Sequence, residues 1–478
     1  MGLISENYAK SYYEMFIMSL ILSLSPSKLI GFIIPFICIF WFLVRSKSGV
    51  SFKRFVLINF AWCLLLIFYN LYSPQIGLDF NISNAFLSYL NYASALFILV
   101  FPSAIISQDY NFEKYARFSL YIMLIEGCIG ILQRILVVVF RKYSTGDVVE
   151  GTINPLSFMY GHSGFGNQFF AINMVFLLIF CFPYVYYKKR SWILFYIIGF
   201  IALVLASVGH VFYSLLMALL VTYLIFEGWN LLLNIKRFVM LLSMVSLMLF
   251  TLAKLDSGVF NASQRQLDMF ITGETPKAKA VEVVFTKLVR EYPTIHLVGL
   301  GPAQYSSRAG TIASGTYYNL SVYFLRIPFL DMGMTTPFKK YVLKTWLYVQ
   351  TNLNSFGNST MYRPFFSLLS VYVEFGGLTI MLLLLLIFQQ LRLLKVNYRS
   401  LESSGGSKTV KLLALSCSTA ILFLFFIGFY ENYYETSQGI FSGILLILVM
   451  RAHVRSQSDI IQPIIVQANP VKQEMVVK

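Results

Sequence analysis

Apolar runs of membrane-spanning length recur along most of this chain and are separated by short loops. That feature limits the possible folds more than any other. A hydrocarbon core of about 30 Å needs roughly 20 apolar residues per helix. Twelve runs qualify: 12–24, 28–44, 55–71, 85–106, 116–139, 166–187, 192–207, 210–227, 236–253, 365–388, 410–429 and 436–451. Charged residues make up 12% of the chain and hydrophobic ones 58%, whereas soluble domains carry roughly 25% charge. The surface therefore faces lipid, and disordered, collagen-like and coiled-coil classes are excluded. The expected fold is an all-α polytopic membrane protein of about twelve transmembrane helices with a large external loop of helical character. Its organisation reads as helices 1–9 over 1–253, the loop over 254–363, helices 10–12 over 364–451 and a tail over 452–478.

Basic residues set the orientation. With the N-terminus in the cytoplasm, Arg45, Lys47, Lys53, Arg54, Lys188, Lys189, Arg190, Lys236, Arg237, Arg392, Lys395, Arg399, Lys408, Lys411, Arg451 and Arg455 all fall inside. The opposite short loops carry only Lys28, Arg141 and Lys142. Both termini are thus expected in the cytoplasm. The formal charge of +16 comes from these flanks and not from a nucleic-acid motif. The N-terminus MGLISENYAKSYYE lacks the pattern of a cleavable leader. The five cysteines lie within apolar segments and read as small buried hydrophobes, neither disulfides nor metal ligands.

The loop 254–363 holds twelve Lys/Arg against six Asp/Glu, and long external loops escape the positive-inside rule. Val281, Val284, Phe285, Leu288 and Val289 recur at helical spacing between Lys277 and Glu291, with Pro293 as the stop. A second stretch, 338–351, interleaves lysines with Tyr341, Val342, Trp346 and Leu347 and reads as a helix on the membrane surface. Such a basic domain suits an anionic, lipid-linked ligand.

Charges within the bilayer are costly and mark candidate sites. Glu126 and Arg134 share a face of the fifth run, as a structural pair or as partners of other helices. Glu374 lies about halfway along the tenth run, and His210 starts the eighth. Asn167, Gln168 and Asn173 cluster at the start of the sixth. Except for Glu126 and Glu374, these polar groups fall in the outer half of the membrane, under the loop. In the loop, Arg290 is followed by ten residues and then Gly301, in REYPTIHLVGLGP. A turn at Gly299, Gly301 and Pro302 can bring backbone N–H groups to an anion, beside an arginine suited to phosphate.

These stretches resemble the O-antigen polymerase and ligase superfamily of bacterial envelope glycosyltransferases. The resemblance is carried by EGCIGILQRI, VEGTINP with GHSGFGNQFFA, LASVGHVFYSLLMALL, REYPTIHLVGLGPAQY and SLLSVYVEFGGLTIMLLLL, spanning roughly residues 116 to 390. It implies a GT-C-class helical fold in the bacterial cytoplasmic membrane, acting on its outer face. The implied reaction joins polyprenyl-pyrophosphate-linked oligosaccharide units for O-antigen, capsule or exopolysaccharide, with no metal or nucleotide cofactor. A flippase and a chain-length regulator are implied partners. Arg290 matches the family's pyrophosphate-binding arginine best, with Gly299, Gly301, Arg134 and Arg308 beside it. His210 stands where the family's helix usually has Arg. The ligases' His-Asn is absent, with Phe365 near its place, which favours a polymerase over a ligase. The base stays open among His210, Glu374, His296 and His162, and Arg326 and Arg363 are further loop cations. A lipid-linked oligosaccharide flippase or other transporter is the rival of another class, but no internal repeat is visible.

Overall fold

The computed structural model describes residues 2–26, 30–101, 111–142, 146–161, 166–187, 190–228, 254, 272, 275–315, 332–352, 364–403 and 407–468. Among them there is no β-strand. The first half contributes α1 (Gly2–Ser23), α2 (Ile30–Ser46), α3 (Gly49–Tyr72), α4 (Ile82–Leu96), α5 (Phe112–Arg141), α6 (Gly166–Tyr187), α7 (Ile193–Ala206) and α8 (Gly209–Glu227). The loop contributes α9 (Pro276–Val283), α10 (Arg308–Ala313) and α11 (Leu343–Asn352). The last part contributes α12 (Ser367–Phe375), α13 (Gly377–Ser403), α14 (Lys408–Ile427) and α15 (Ser437–Ala468).

Among the described residues, eight helices are long and apolar enough to cross a membrane: α3, α4, α5, α6, α8, α13, α14 and α15. Two shorter apolar helices, α2 and α7, pack with them. The run at 236–253 lies outside the described residues. The bundle is built around α6 and α15, which are buried on nearly all sides. By contrast α3 turns Phe60, Leu64 and Ile67 outward, and α13 turns Leu382, Leu385 and Phe388 outward, as lipid-facing helices do. Cys63 and Cys128 are exposed on such outer faces, so only Cys38, Cys181 and Cys417 are the buried hydrophobes expected of all five.

Helix ends follow local chemistry. Asn81 caps α4 by accepting the Asn84 N–H, and Asn111 caps α5 by accepting that of Lys114. The break before α8 comes from Ser207, left-handed at φ 55°, with Gly209 the first helical residue after it. Two boundaries differ from the sequence reading. The tenth run is not one helix, because Gly376 (φ 87°, ψ 166°) breaks it into α12 and α13. At the other end, α15 continues past 451 to Ala468, so the tail begins as helix.

The described part of the loop packs around a core of Val284, Leu288, Ile295, Leu300, Tyr305, Phe338 and Val342, shared with Phe365 and Val373 from the segment that follows. The helix expected at 277–291 is present: α9 passes through a π-helical turn at Val284–Leu288 and ends at Glu291, before Pro293. Of its expected apolar face, Val284, Leu288 and Val289 are buried, whereas Phe285 is half exposed and stacks on Tyr372. In the second loop helix, Phe338 and Val342 enter the loop core, and Trp346 stacks on Phe365 with ring centroids 6.3 Å apart.

Candidate functional site

The loop domain is locked onto one end of the bundle by the two glycine motifs, which interlock. The N–H groups of Leu300 and Gly301 donate to the carbonyls of Val373 and Glu374, each at 2.9 Å, and Leu378 N–H donates to the Leu297 carbonyl at 3.2 Å. Gly299 sits at φ 74°, and a Cβ there would lie 2.5 Å from the Glu374 backbone. From the bundle, the Tyr69 hydroxyl donates to the Val298 carbonyl. The Gly299–Gly301 turn, expected to aim its N–H groups at a ligand anion, thus spends those of Leu300 and Gly301 on α12.

An anion is nevertheless held just beyond that turn, and it is the Glu374 side chain. Its carboxylate accepts the Ala303 N–H at 2.8 Å, the Tyr305 N–H at 3.1 Å and the Ser307 N–H at 3.2 Å, fully buried. Glu126 plays a similar part on α5. Its carboxylate accepts the Thr152 N–H at 3.0 Å and the Thr152 hydroxyl. Two turns along the same face of α5, Gln133 accepts the N–H groups of Glu150 and Gly151 and donates to the Gly151 and Asn154 carbonyls, each at 2.9 Å.

Between α14 and α15 lies a hinge, GFYENYYETSQ (428–438), that meets every nearby element. Lys277 Nζ donates to the Tyr430 carbonyl. Ser367 donates to the Glu431 carbonyl, and Asn432 Nδ2 donates to the Ser306 carbonyl at 2.7 Å. The Tyr433 hydroxyl bonds His210 Nε2 at 2.7 Å and donates to Gln168 Oε1 at 2.8 Å. With Tyr433 donating to Gln168, His210 supplies the other proton through Nε2–H. Glu435 Oε2 accepts the Ala309 N–H at 3.3 Å, next to Arg308, whose guanidinium lies 5.0 Å from the centre of the Phe32 ring. Burial, and after it the charge of Glu374, push the Glu435 carboxyl well above the ordinary carboxylate range; the Ala309 N–H, the Arg308 charge and the Arg308 N–H oppose them.

The residues singled out from sequence fall into three places. His210, Gln168 and Arg308 join the hinge, and Glu374 lies one layer above it. Asn173 is nearby, donating to the Gln438 carbonyl at 2.7 Å. Asn167 donates to Asp147 at 3.2 Å, and Glu126 and the buried Arg134 belong with the 146–154 loop and α5. Arg290 is exposed on the last turn of the α9 helix, and the exposed His296 bonds the Tyr372 hydroxyl at 2.9 Å, both away from the hinge. His162, Arg326 and Arg363 lie outside the described residues. Sequence reading missed the hinge itself. Its signal was present: two glutamates, three tyrosines and an asparagine interrupt two apolar runs. Among the described residues no three His, Cys, Asp or Glu side chains form a metal-ligand set.

No protein-family model, curated protein or solved structure matches this chain.

Proposed function

We propose that this protein is a polytopic membrane glycosyltransferase of about twelve spans that joins polyprenyl-pyrophosphate-linked oligosaccharide units into a bacterial surface polysaccharide. The reaction takes place at the outer face of the cytoplasmic membrane. One observation carries this reading. A histidine, buried carboxylates and cations from α8, the loop domain and the α14–α15 hinge converge at a single end of the bundle, under a docked loop domain. A transporter places its polar groups near mid-membrane on broken helices. Transfer from a lipid diphosphate at a membrane surface needs cations facing the departing charge and a proton acceptor beside them. Arg308, seated at the hinge, is the cation this arrangement favours, and the exposed Arg290 is the one it leaves aside. Polyprenyl-linked repeat units are the substrates, and no metal or nucleotide takes part.

The test is deletion of the gene in its source bacterium and complementation with wild type, Arg308→Ala or Arg290→Ala, reading the surface polysaccharide as a ladder on a gel. The expected result is a ladder with wild type and with Arg290→Ala, and single-repeat material with Arg308→Ala at equal expression. Long polymer retained on its lipid carrier after deletion would instead indicate a ligase. Loss of even single repeats from the surface would indicate a flippase.

A further inference from the structure

The end of the bundle opposite the hinge carries a polar cavity of its own. α8 starts at the hinge, where His210 meets Tyr433, and α14 ends there. The last turn of α8 and the last turns of α13, which lead into α14, therefore lie at the far end, and both helices pack on α14. Phe226 of α8 meets Tyr398 of α13 edge to face, with ring centroids 5.3 Å apart. These two rings, Glu227 of α8 and Lys395, Arg399 and Glu402 of α13 line a cavity of about 270 Å³. The spacing of 395, 398, 399 and 402 puts all four on one face of α13. The volume falls just short of the roughly 300–1,000 Å³ of sites for drug-sized ligands, which suits a smaller, polar group. Among the described residues, Lys395, Arg399 and Glu402 line this space without forming an ion pair with one another.

We propose that this cavity holds the headgroup of a zwitterionic phospholipid bearing a primary ammonium. Lys395 and Arg399 donate to its phosphate. Glu402 and Glu227 accept from its ammonium, and the negative end of the α8 dipole adds to the pull of Glu227. Two cations and two carboxylates give the lining no net charge. A purely anionic headgroup would meet the carboxylates uncompensated, and a quaternary ammonium has no N–H to give them. The ligand is a lipid because α13 turns Phe388, Leu393 and Val396 outward on the way to the cavity, an apolar strip against which acyl chains lie. This is the end that the basic flanks predict to be cytoplasmic, so the lipid comes from the inner leaflet. The proposal does not depend on the transferase reading.

The experiment takes the full-length protein, stripped of lipid in detergent, and reads by native mass spectrometry the retention of added dioleoyl phosphatidylethanolamine, phosphatidylglycerol or phosphatidylcholine. One phosphatidylethanolamine is expected to bind at least about tenfold more tightly than either of the others, the worth of one charge-assisted hydrogen bond. Lys395→Ala with Arg399→Ala should abolish that preference, and Glu227→Gln with Glu402→Gln should shift it to phosphatidylglycerol. Lys408→Ala with Lys411→Ala removes the same charge from the same end of the bundle, outside the cavity, and should leave the preference intact. Equal retention of the three lipids by wild type overturns the proposal, as does equal loss in the two lysine- and arginine-depleted variants. Excess glycerophosphoethanolamine, the headgroup without its chains, should not displace the lipid, and displacement overturns the lipid assignment. If a double variant does not melt as a folded protein, Arg399→Gln decides. Its side chain is exposed, and phosphatidylethanolamine retention unchanged by it overturns the proposal.

Discussion

Glu126 and Glu374 lie some 250 residues apart in the chain, yet each solves the same problem at the same end of the bundle. Each is a buried carboxylate on a helix, and each draws a glycine-bearing loop down onto that helix. Beside Glu126 the close approach is allowed by Gly151 at φ 57°; beside Glu374 it is allowed by Gly299 at φ 74°. The two seats differ in how the load is shared. At the α5 seat Gln133 carries four of the backbone bonds and Glu126 holds only Thr152. At the α12 seat Glu374 alone takes three N–H groups. A carboxylate in an apolar helix thus need not be chemistry. Its role depends on how many of its lone pairs the chain already uses.

Removing each carboxylate gives the largest contrast. Glu374→Ala strands three buried donors, each costing about 1–3 kcal/mol, which is a large share of the stability of a typical domain. The expected outcome is a protein that fails to elute as a single species from detergent and whose loop is cut rapidly by protease. Glu126→Ala strands the Thr152 N–H, while the single proton of the Thr152 hydroxyl can turn to the Leu24 carbonyl, 2.9 Å away, and Gln133 still holds the loop. It should give a folded protein with a melting temperature only a few degrees lower. Equal losses in the two variants would break the distinction between the seats.

The glycines sharpen the same contrast. Gly376 lies in a region of backbone space essentially reserved for glycine, and an added Cβ would collide with the Leu297 carbonyl, which is fixed backbone. The backbone strain alone is about 1–3 kcal/mol, and the collision adds to it. At Gly151 an added Cβ would meet the end of the Glu126 side chain, which can shift at the cost of its Thr152 bonds, and the edge of the buried Phe170 ring, but no fixed backbone. Gly376→Ala is therefore expected to lower the melting temperature more than Gly151→Ala. The reverse order would mean that the α12 seat is the more pliable of the two.

Much of this arrangement was legible in the sequence, and the remainder has a physical reason for being hidden. Apolar length and helical spacing located most spans and the α9 helix, because those signals are local. The turn at Gly299–Gly301 was visible, but the break at Gly376 was not, because the apolar run continues through it; nor was it visible that the two fit together, since their pairing depends on chain segments more than 70 residues apart. Read alone, the GLGP turn looked like an anion cradle, and an anion is held just beyond it, supplied by the chain itself. The hinge went unread because its charges sit between two runs, where a short polar loop is the ordinary expectation. Only packing shows that Glu435 and Tyr433 are buried there.

The smallest effect belongs to a third glutamate, Glu291, which marks the contrast between a buried carboxylate and a surface one. It ties the α9 helix to the second loop helix by accepting from Lys340 and from the Tyr341 hydroxyl. Those two hydrogen bonds, Lys340 first, hold its carboxyl below the usual range. A depressed carboxyl contributes stability above its unfolded pKa and loses it as pH falls through the folded value. The Glu291 link should therefore be intact at neutral pH and vanish in acid. Because the pair is largely exposed, salt screens it. Glu291→Gln should lower the melting temperature slightly at pH 7 in low salt, and the difference should close both at acid pH and in high salt. Glu435 has the opposite sign: its raised carboxyl favours the folded state below its unfolded pKa and loses that advantage as pH rises, so Glu435→Gln should gain relative stability toward neutral pH. Melting both variants across one pH series separates the two kinds of carboxylate, and parallel curves would deny that burial sets them apart.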